Sequence, residues 1–183
     1  MKDHKGMRPQ DVVILLTIIA IEENGWGATN FRVLNMIQNK DLAELLKISS
    51  AEISASLNRS AFSGLIDNGH SKKVFRKSLM EFLRFGLKYV FPTQPSALVR
   101  GIPTAHSANP LKSLLTFQEE VVWEHPEGTV RGQAITPLYS TVPEIVKNNA
   151  LLYELLALTD SLRIGGARER ELAISELEKR FFQ

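Results

Sequence analysis

The sequence predicts an α+β protein, and three patterns carry that prediction. Residues 10–90 read mostly as helices, interrupted by an Asn68-Gly69 pair between two short runs. Seven of the eight prolines fall between Pro92 and Pro143, which excludes long helices there and leaves room for β-like pieces. From Val142 onward helical spacing returns, broken by Gly165-Gly166. With 183 residues, 44% apolar and 23% charged, the chain has material for a sizeable core and for one domain or two small ones.

The first element covers residues 10–22. Its centre, "VVILLTIIAI" at residues 12–21, is apolar on every side, so a helix here has to be buried. Pro9 suits the first helical position. Behind Lys2, Lys5 and Arg8 the run resembles a signal-peptide core, but Asp11 in front, Glu22-Glu23 behind and the lack of a small-x-small cleavage site argue against one. It is also shorter than the roughly 20 apolar residues that cross a bilayer. The expectation is a cytoplasmic protein without a membrane segment. Cysteine is absent, which removes disulfides, thiolate zinc sites and cysteine nucleophiles.

A loop through "NGWGATN" and a short piece around residues 31–37 lead to "KDLAELLKISSAEISASLNRSAFSGLI", residues 40–66. Leu42, Leu45 and Leu46 give a first helix its apolar face, Ala43 is small enough for a close crossing, and Ile48 plugs the turn. Ser49 suits an N-cap, with Glu52 three residues later to complete a capping box. On the second helix Ile53, Leu57, Ala61 and Leu65 share one side, which sends Ala51, Ser54, Ala55, Asn58 and Arg59 to the other. Small residues on that side permit close approach to a major groove, Asn58 suits adenine, and Arg59 suits guanine or phosphate.

Beyond this helix, Asn68-Gly69 is a strong signal for a two-residue hairpin turn. Between His70 and Tyr89 the cations Lys72, Lys73, Arg76, Lys77, Arg84 and Lys88 face one acid, Glu81. Residues 76–89 read as one helix on which Lys77, Glu81, Arg84 and Lys88 form a single polar stripe, and its other positions predict burial on most sides. The net charge of +2 hides an asymmetry: residues 1–100 hold 14 Lys/Arg against 9 Asp/Glu, whereas residues 101–183 hold 8 against 11. Affinity for a polyanion is therefore expected in the first half.

The segment at about residues 40–75 resembles the recognition region of bacterial winged-helix transcription regulators of the MarR-like kind. In these a Leu-Ala helix, a serine-initiated helix and a closing Gly-Leu-Ile lead into a β-wing. The resemblance implies a homodimer that reads a pseudo-palindrome in double-stranded DNA. A recognition helix at about residues 50–66 would bring Ser49, Ser50, Ala51, Ser54, Ala55, Asn58 and Arg59 to the groove. Lys72, Lys73, Arg76 and Lys77 would contact phosphates. Three residues depart from the pattern: Lys47 stands at a usual glycine, Ser60 at a usual apolar position, and Phe62 at a usual polar one, the last expected to be covered by the second half of the chain.

In the proline-rich stretch "ALVRGI" and "GTVRGQAI" read as strands and share Val-Arg-Gly, at Val99-Arg100-Gly101 and Val130-Arg131-Gly132. The tripeptide is either a small internal duplication or a coincidence. "VRGIPTAHSANPL" predicts a tightly defined loop. Arg100 and Arg131 either hold an anion or pair with acids of this half. Two helices close the chain, at about residues 143–163 and 167–182, as a helical hairpin or as arms of a dimer. His4, His70, His106 and His125 lack metal-ligand spacing, and there is no G-x-S-x-G, P-loop or dinucleotide motif. A meeting of His106 and His125 with Glu119 or Glu120 is the one metal arrangement left open.

The sequence thus reads as an N-terminal winged helix-turn-helix over residues 1–91, then a Pro-rich α+β segment with a C-terminal helical hairpin over 92–183 for dimerisation or sensing. The expected function is sequence-specific transcriptional control, without cofactor, metal or enzymatic activity. An antitoxin-like or adaptor module that binds a protein partner is the alternative. A partner or small-molecule effector at residues 92–183 stays open.

Overall fold

A computed structural model describes residues 6–24, 37–67 and 72–182 of the chain. The "NGWGATN" loop from Gly25 onward, the piece up to residue 36, the Asn68-Gly69 turn, His4 and His70 lie outside these residues. The architecture is mixed α+β, with helices predominating over a small sheet.

Helix α1 (Pro9–Asn24) is the axis of the molecule. Every residue from Asp11 to Ile21 is buried, as an all-apolar helix requires. Thr17 donates its hydroxyl to Val13 O at 2.8 Å, so the one polar group in the middle of the run is satisfied within the helix. Helices α2 (Asn39–Leu46) and α3 (Ser50–Phe62) follow, α3 packing on both α1 and α2. Strands β1 (Ile66–Asp67) and β2 (Lys73–Val74) then pair antiparallel, Ile66 opposite Val74 and Asp67 opposite Lys73.

The single helix expected at residues 76–89 is two, α4 (Arg76–Phe85) and α5 (Leu87–Val90), divided at Gly86, where glycine's conformational freedom weakens helical continuation. Its expected burial on most sides is also corrected. Leu79, Met80, Leu83 and Leu87 are buried, but Phe85 is 66% and Tyr89 73% exposed, under cation–π contact from Arg84 and Lys88 respectively.

In the proline-rich region β3 (Leu98–Pro103), β4 (Val121–Glu124) and β5 (Val130–Ala134) each pair with the other two: β3 is antiparallel to both, and β4 and β5 are parallel. Strand β4 is an addition to the two strands expected from the sequence. Glycine makes the triangle possible. A Cβ on Gly101 would lie 2.1 Å from Trp123 O, and one on Gly132 would lie 2.5 Å from Glu120 O. The two Val-Arg-Gly tripeptides prove to be partners, with Val99 opposite Gly132, Arg100 opposite Arg131 and Gly101 opposite Val130.

Helix α6 (Leu111–Leu114) lies between β3 and β4, and α7 (Val142–Ile145) with a 3-10 turn at Val146–Asn148 precedes α8 (Ala150–Ile164). The helix expected at 143–163 is thus interrupted, because Asn149 leaves the helix and accepts a capping bond from Leu152 N at 2.9 Å. Helix α8 packs on α1 and on α9 (Ala167–Phe182), so the C-terminal hairpin forms within one chain. One apolar cluster runs from α1 through α8 to α9, and the division at residue 91 does not divide the core. No helix among the described residues is long and apolar enough to cross a membrane.

The "VRGIPTAHSANPL" stretch follows a defined path because polar side chains lock it to the core. Thr104 Oγ1 donates to Asp160 Oδ2 at 2.9 Å, Val121 N donates to Ser107 Oγ at 2.8 Å, and the Tyr153 hydroxyl donates to Pro103 O at 2.6 Å. Asp160 also accepts from Trp123 Nε1 at 2.7 Å and from Arg163, whose guanidinium reaches Phe91 O and Thr136 O. Burial pushes the Asp160 carboxyl up, against Arg163 and the other donors that favour its charged form. Replacing Asp160 by Ala leaves a buried Arg163 without its counter-charge. It is expected to cost about 3–5 kcal/mol in urea denaturation, and a loss below about 1 kcal/mol would refute this role.

Candidate nucleic-acid interface

The α2–α3 corner is built by local sequence. Lys47 ends α2 in the left-handed region, φ 55°, where its N–H closes on the last turn, so lysine takes the conformation that glycine usually supplies. Ile48 is buried in the turn. Ser49 caps α3 by accepting from Glu52 N at 3.2 Å. The reciprocal half of the expected capping box is absent, because the Glu52 carboxylate is drawn elsewhere: Gln10 Nε2 and Arg59 both donate to its Oε1, at 3.1 and 2.6 Å.

Ser49, Ser50, Ala51, Ser54 and Asn58 are exposed and Ala55 is half-buried, so most of the expected groove face is on the surface. Arg59 is the correction. Its side chain is 10% exposed and grips Asp11 through two bonds, Nε to Oδ2 at 2.9 Å and Nη2 to Oδ1 at 2.6 Å, with Nη2 also on Glu52. At about 100° per residue, positions 52 and 59 nearly coincide around the helix, on the flank against the N-terminus of α1 and not at the centre of the outer face. The Asp11 and Glu52 carboxylates hold the Arg59 guanidinium well above its ordinary range, against the opposing effect of burial. Phe62, expected to be covered by the second half of the chain, is 70% exposed.

Of the expected phosphate contacts, Lys73 and Lys77 are exposed and flank a cleft of about 680 Å³ that Phe75 and Phe182 also line. Lys72 is half-buried and donates to Ile37 O at 2.8 Å. Arg76 is the second correction: its guanidinium bonds Glu22 at 2.6 Å, Glu23 at 2.7 Å and Phe181 O at 2.9 Å. The residues sequence reasoning missed are these acid partners. Asp11 and Glu22-Glu23 bracket an all-apolar run, and that placement was the available signal that a buried helix would need cations at its ends.

No group of three or more His, Asp or Glu side chains among the described residues could hold a metal ion. His106 Nε2 lies 3.1 Å from Glu119 O, and His125 Nδ1 accepts from Glu127 N at 3.1 Å. Comparison with family models, with curated proteins and with solved structures finds no match to the chain.

Two outcomes follow for the Asp11–Arg59–Glu52 cluster. Arg59→Ala is expected to lose about 3–5 kcal/mol of stability, because it strands a buried carboxylate, whereas Ser54→Ala leaves stability within about 0.5 kcal/mol. Burial raises the Glu52 carboxyl, but bonds from Arg59 and Gln10 and the Arg59 charge outweigh it and hold the group below its ordinary 4.5. A carboxylate so lowered contributes stability above its unfolded value and loses it as pH falls through the folded one. Unfolding free energy of the wild type should therefore drop more steeply below about pH 4.5 than that of Glu52→Gln; parallel profiles would show that Glu52 contributes no such linkage.

Proposed function

We propose that the chain is a DNA-binding transcription regulator with a winged helix-turn-helix of MarR-like kind, working in the cytoplasm as a homodimer on double-stranded DNA. The observation that supports it best is the outer face of α3. A helix capped at its start presents Ser50, Ala51, Ser54 and Asn58 to solvent, with no large side chain among them before Phe62. A helix of this kind enters a major groove by its N-terminal end, where small residues let the backbone approach the base edges. In this reading the antiparallel β1–β2 pair serves as the wing, with Lys73 on it and Lys77 on the next helix as phosphate contacts.

Without Arg59 the base-reading set is reduced to Asn58 and the serine hydroxyls. This reading therefore expects modest direct readout and a larger share of affinity from phosphates, with strong salt dependence. A second reading, a module that binds a protein partner, is favoured by the exposed rings of Phe62, Phe85 and Tyr89. A partner or effector for residues 92–183 remains part of either reading.

The deciding measurement is fluorescence anisotropy against a duplex from upstream of the chain's own gene and against a scrambled duplex, from about 50 to 300 mM salt. Preferential binding to the first that persists at the higher salt supports the regulator; equal, salt-quenched binding or none removes it. Asn58→Ala should narrow the difference between the two duplexes by about 1–3 kcal/mol. Lys73→Ala should weaken both alike and reduce the salt slope by about one. Identical behaviour of the two variants would remove Asn58 from the groove.

A further inference from the structure

Arg100 and Arg131 are two exposed cations of the second half that form no ion pair within the fold among the described residues. They stand directly opposite each other on antiparallel β3 and β5, which puts both side chains on one face with Cβ atoms about 5 Å apart. Both are exposed, and neither has an acid partner among the described residues. The alternative of pairing with acids of this half is therefore not what the structure shows. Arg59, Arg76, Arg163 and Arg180, by contrast, each hold a carboxylate. The pair lines an open groove of about 410 Å³ with Leu98, Val99, Thr129 and Val130. Like charges directly opposite in a sheet repel, so this pair costs stability unless an anion lies between the two guanidinium groups.

A chain of contacts links the strand that carries Arg100 to the α2–α3 turn. His125 N donates to Arg100 O at 3.1 Å, and Glu127, two residues on, is bound by Lys147 at 2.6 Å. Three residues before Lys147, Glu144 is bound by Lys47 of the α2–α3 turn, and Thr141 Oγ1 donates to Leu46 O at 2.9 Å. Lys147 and Lys47 hold the Glu127 and Glu144 carboxyls below their ordinary value, so both acids are ionised and each is matched by its lysine. Neither is left over to neutralise the arginine pair.

We propose that Arg100 and Arg131 form a phosphate clamp that takes the backbone of the same DNA that α3 faces, a second contact of one interface. The proposal rests on the DNA-binding reading. Magnitude favours the backbone over a free phosphate. An exposed ion pair contributes at most about a fivefold factor, so two of them leave a free phosphate with a dissociation constant on the order of tens of millimolar. On a polyanion already held by α3 and Lys73 the same two contacts multiply an existing affinity. Arginine suits the task because its planar fork bonds two phosphate oxygens at once.

The test compares wild type, Arg100→Ala/Arg131→Ala and Arg131→Glu on one duplex of about 24 base pairs, by salt titration of anisotropy and by thermal melting. The clamp on one phosphate expects the double variant to lower the salt slope by about one and to weaken binding about tenfold near 0.1 M salt, with the same or a higher melting temperature. Arg131→Glu should bind DNA as weakly or worse while melting at the same or a higher temperature, because it converts a repulsive cross-strand pair into an attractive one. Wild type that binds with a slope both variants preserve overturns the clamp and leaves the DNA reading standing; no binding by wild type overturns both. Saturable, submillimolar binding of inorganic phosphate that both variants abolish, with the DNA slope intact, overturns the backbone assignment in favour of a free anion.

Discussion

A sixteen-residue helix with no polar face has to be wrapped on all sides, and α1 imposes that requirement on the rest of the chain. Helix α3 covers it from the first half and α8 from the second, which is why the apolar core is continuous across the proline-rich boundary. The ends of such a helix are its weak points. Asp11 is fully buried at the N-terminal end, where the helix dipole favours a carboxylate, but a buried charge still needs a counter-charge, and Arg59 supplies it in a bidentate grip. At the other end Glu22 and Glu23 stand against the dipole, and Arg76 offsets them from α4 while also bonding Phe181 O of α9. Two arginines that a surface reading sends to DNA are thus the bolts at either end of the central helix.

The same distinction shows what was legible in the sequence. Periodicity found α1, the α2–α3 corner and its serine cap, the return to helix at the end and the two Val-Arg-Gly strands, because each is decided by residues within about ten positions of one another. It failed where tertiary partners decide. Arg59 lies at the edge of an outward face by spacing, and Asp11, 48 residues away, turns it inward together with Glu52. Strand β4 is short and carries a tryptophan buried by a contact with Asp160, and nothing local marks it as the third side of a triangle. The exposed rings of Phe85 and Tyr89 failed in the opposite sense. Spacing assigned them to a core that Leu79, Met80, Leu83 and Leu87 already fill.

Acid placement also explains how the arginines divide. Arg59, Arg76 and Arg163 sit at or below a quarter exposed, next to carboxylates of other turns or helices, where leaving either partner unpaired is costly. Arg100 and Arg131, both exposed, stand opposite each other on a strand pair, and no carboxylate among the described residues is bonded to either. The residues that stabilise and the residues available to a partner are therefore separated by burial and not by charge, and counting basic residues along the chain cannot separate them.

Glycine placement gives the Val-Arg-Gly repeat a physical reason. In each copy the glycine lies where a neighbouring backbone crosses within reach of a missing Cβ, and the arginine one residue earlier faces the opposite side. Because the copies pair antiparallel, closing the three-stranded triangle at two glycines sets two arginines side by side on the outer face. A requirement of backbone packing thereby produces a charge arrangement that packing alone would not select. The α7 contacts, through Thr141 to Leu46 and Glu144 to Lys47, tie the sheet region to the α2–α3 turn. Any anion spanning both would meet them in a fixed relation set by the core around α1.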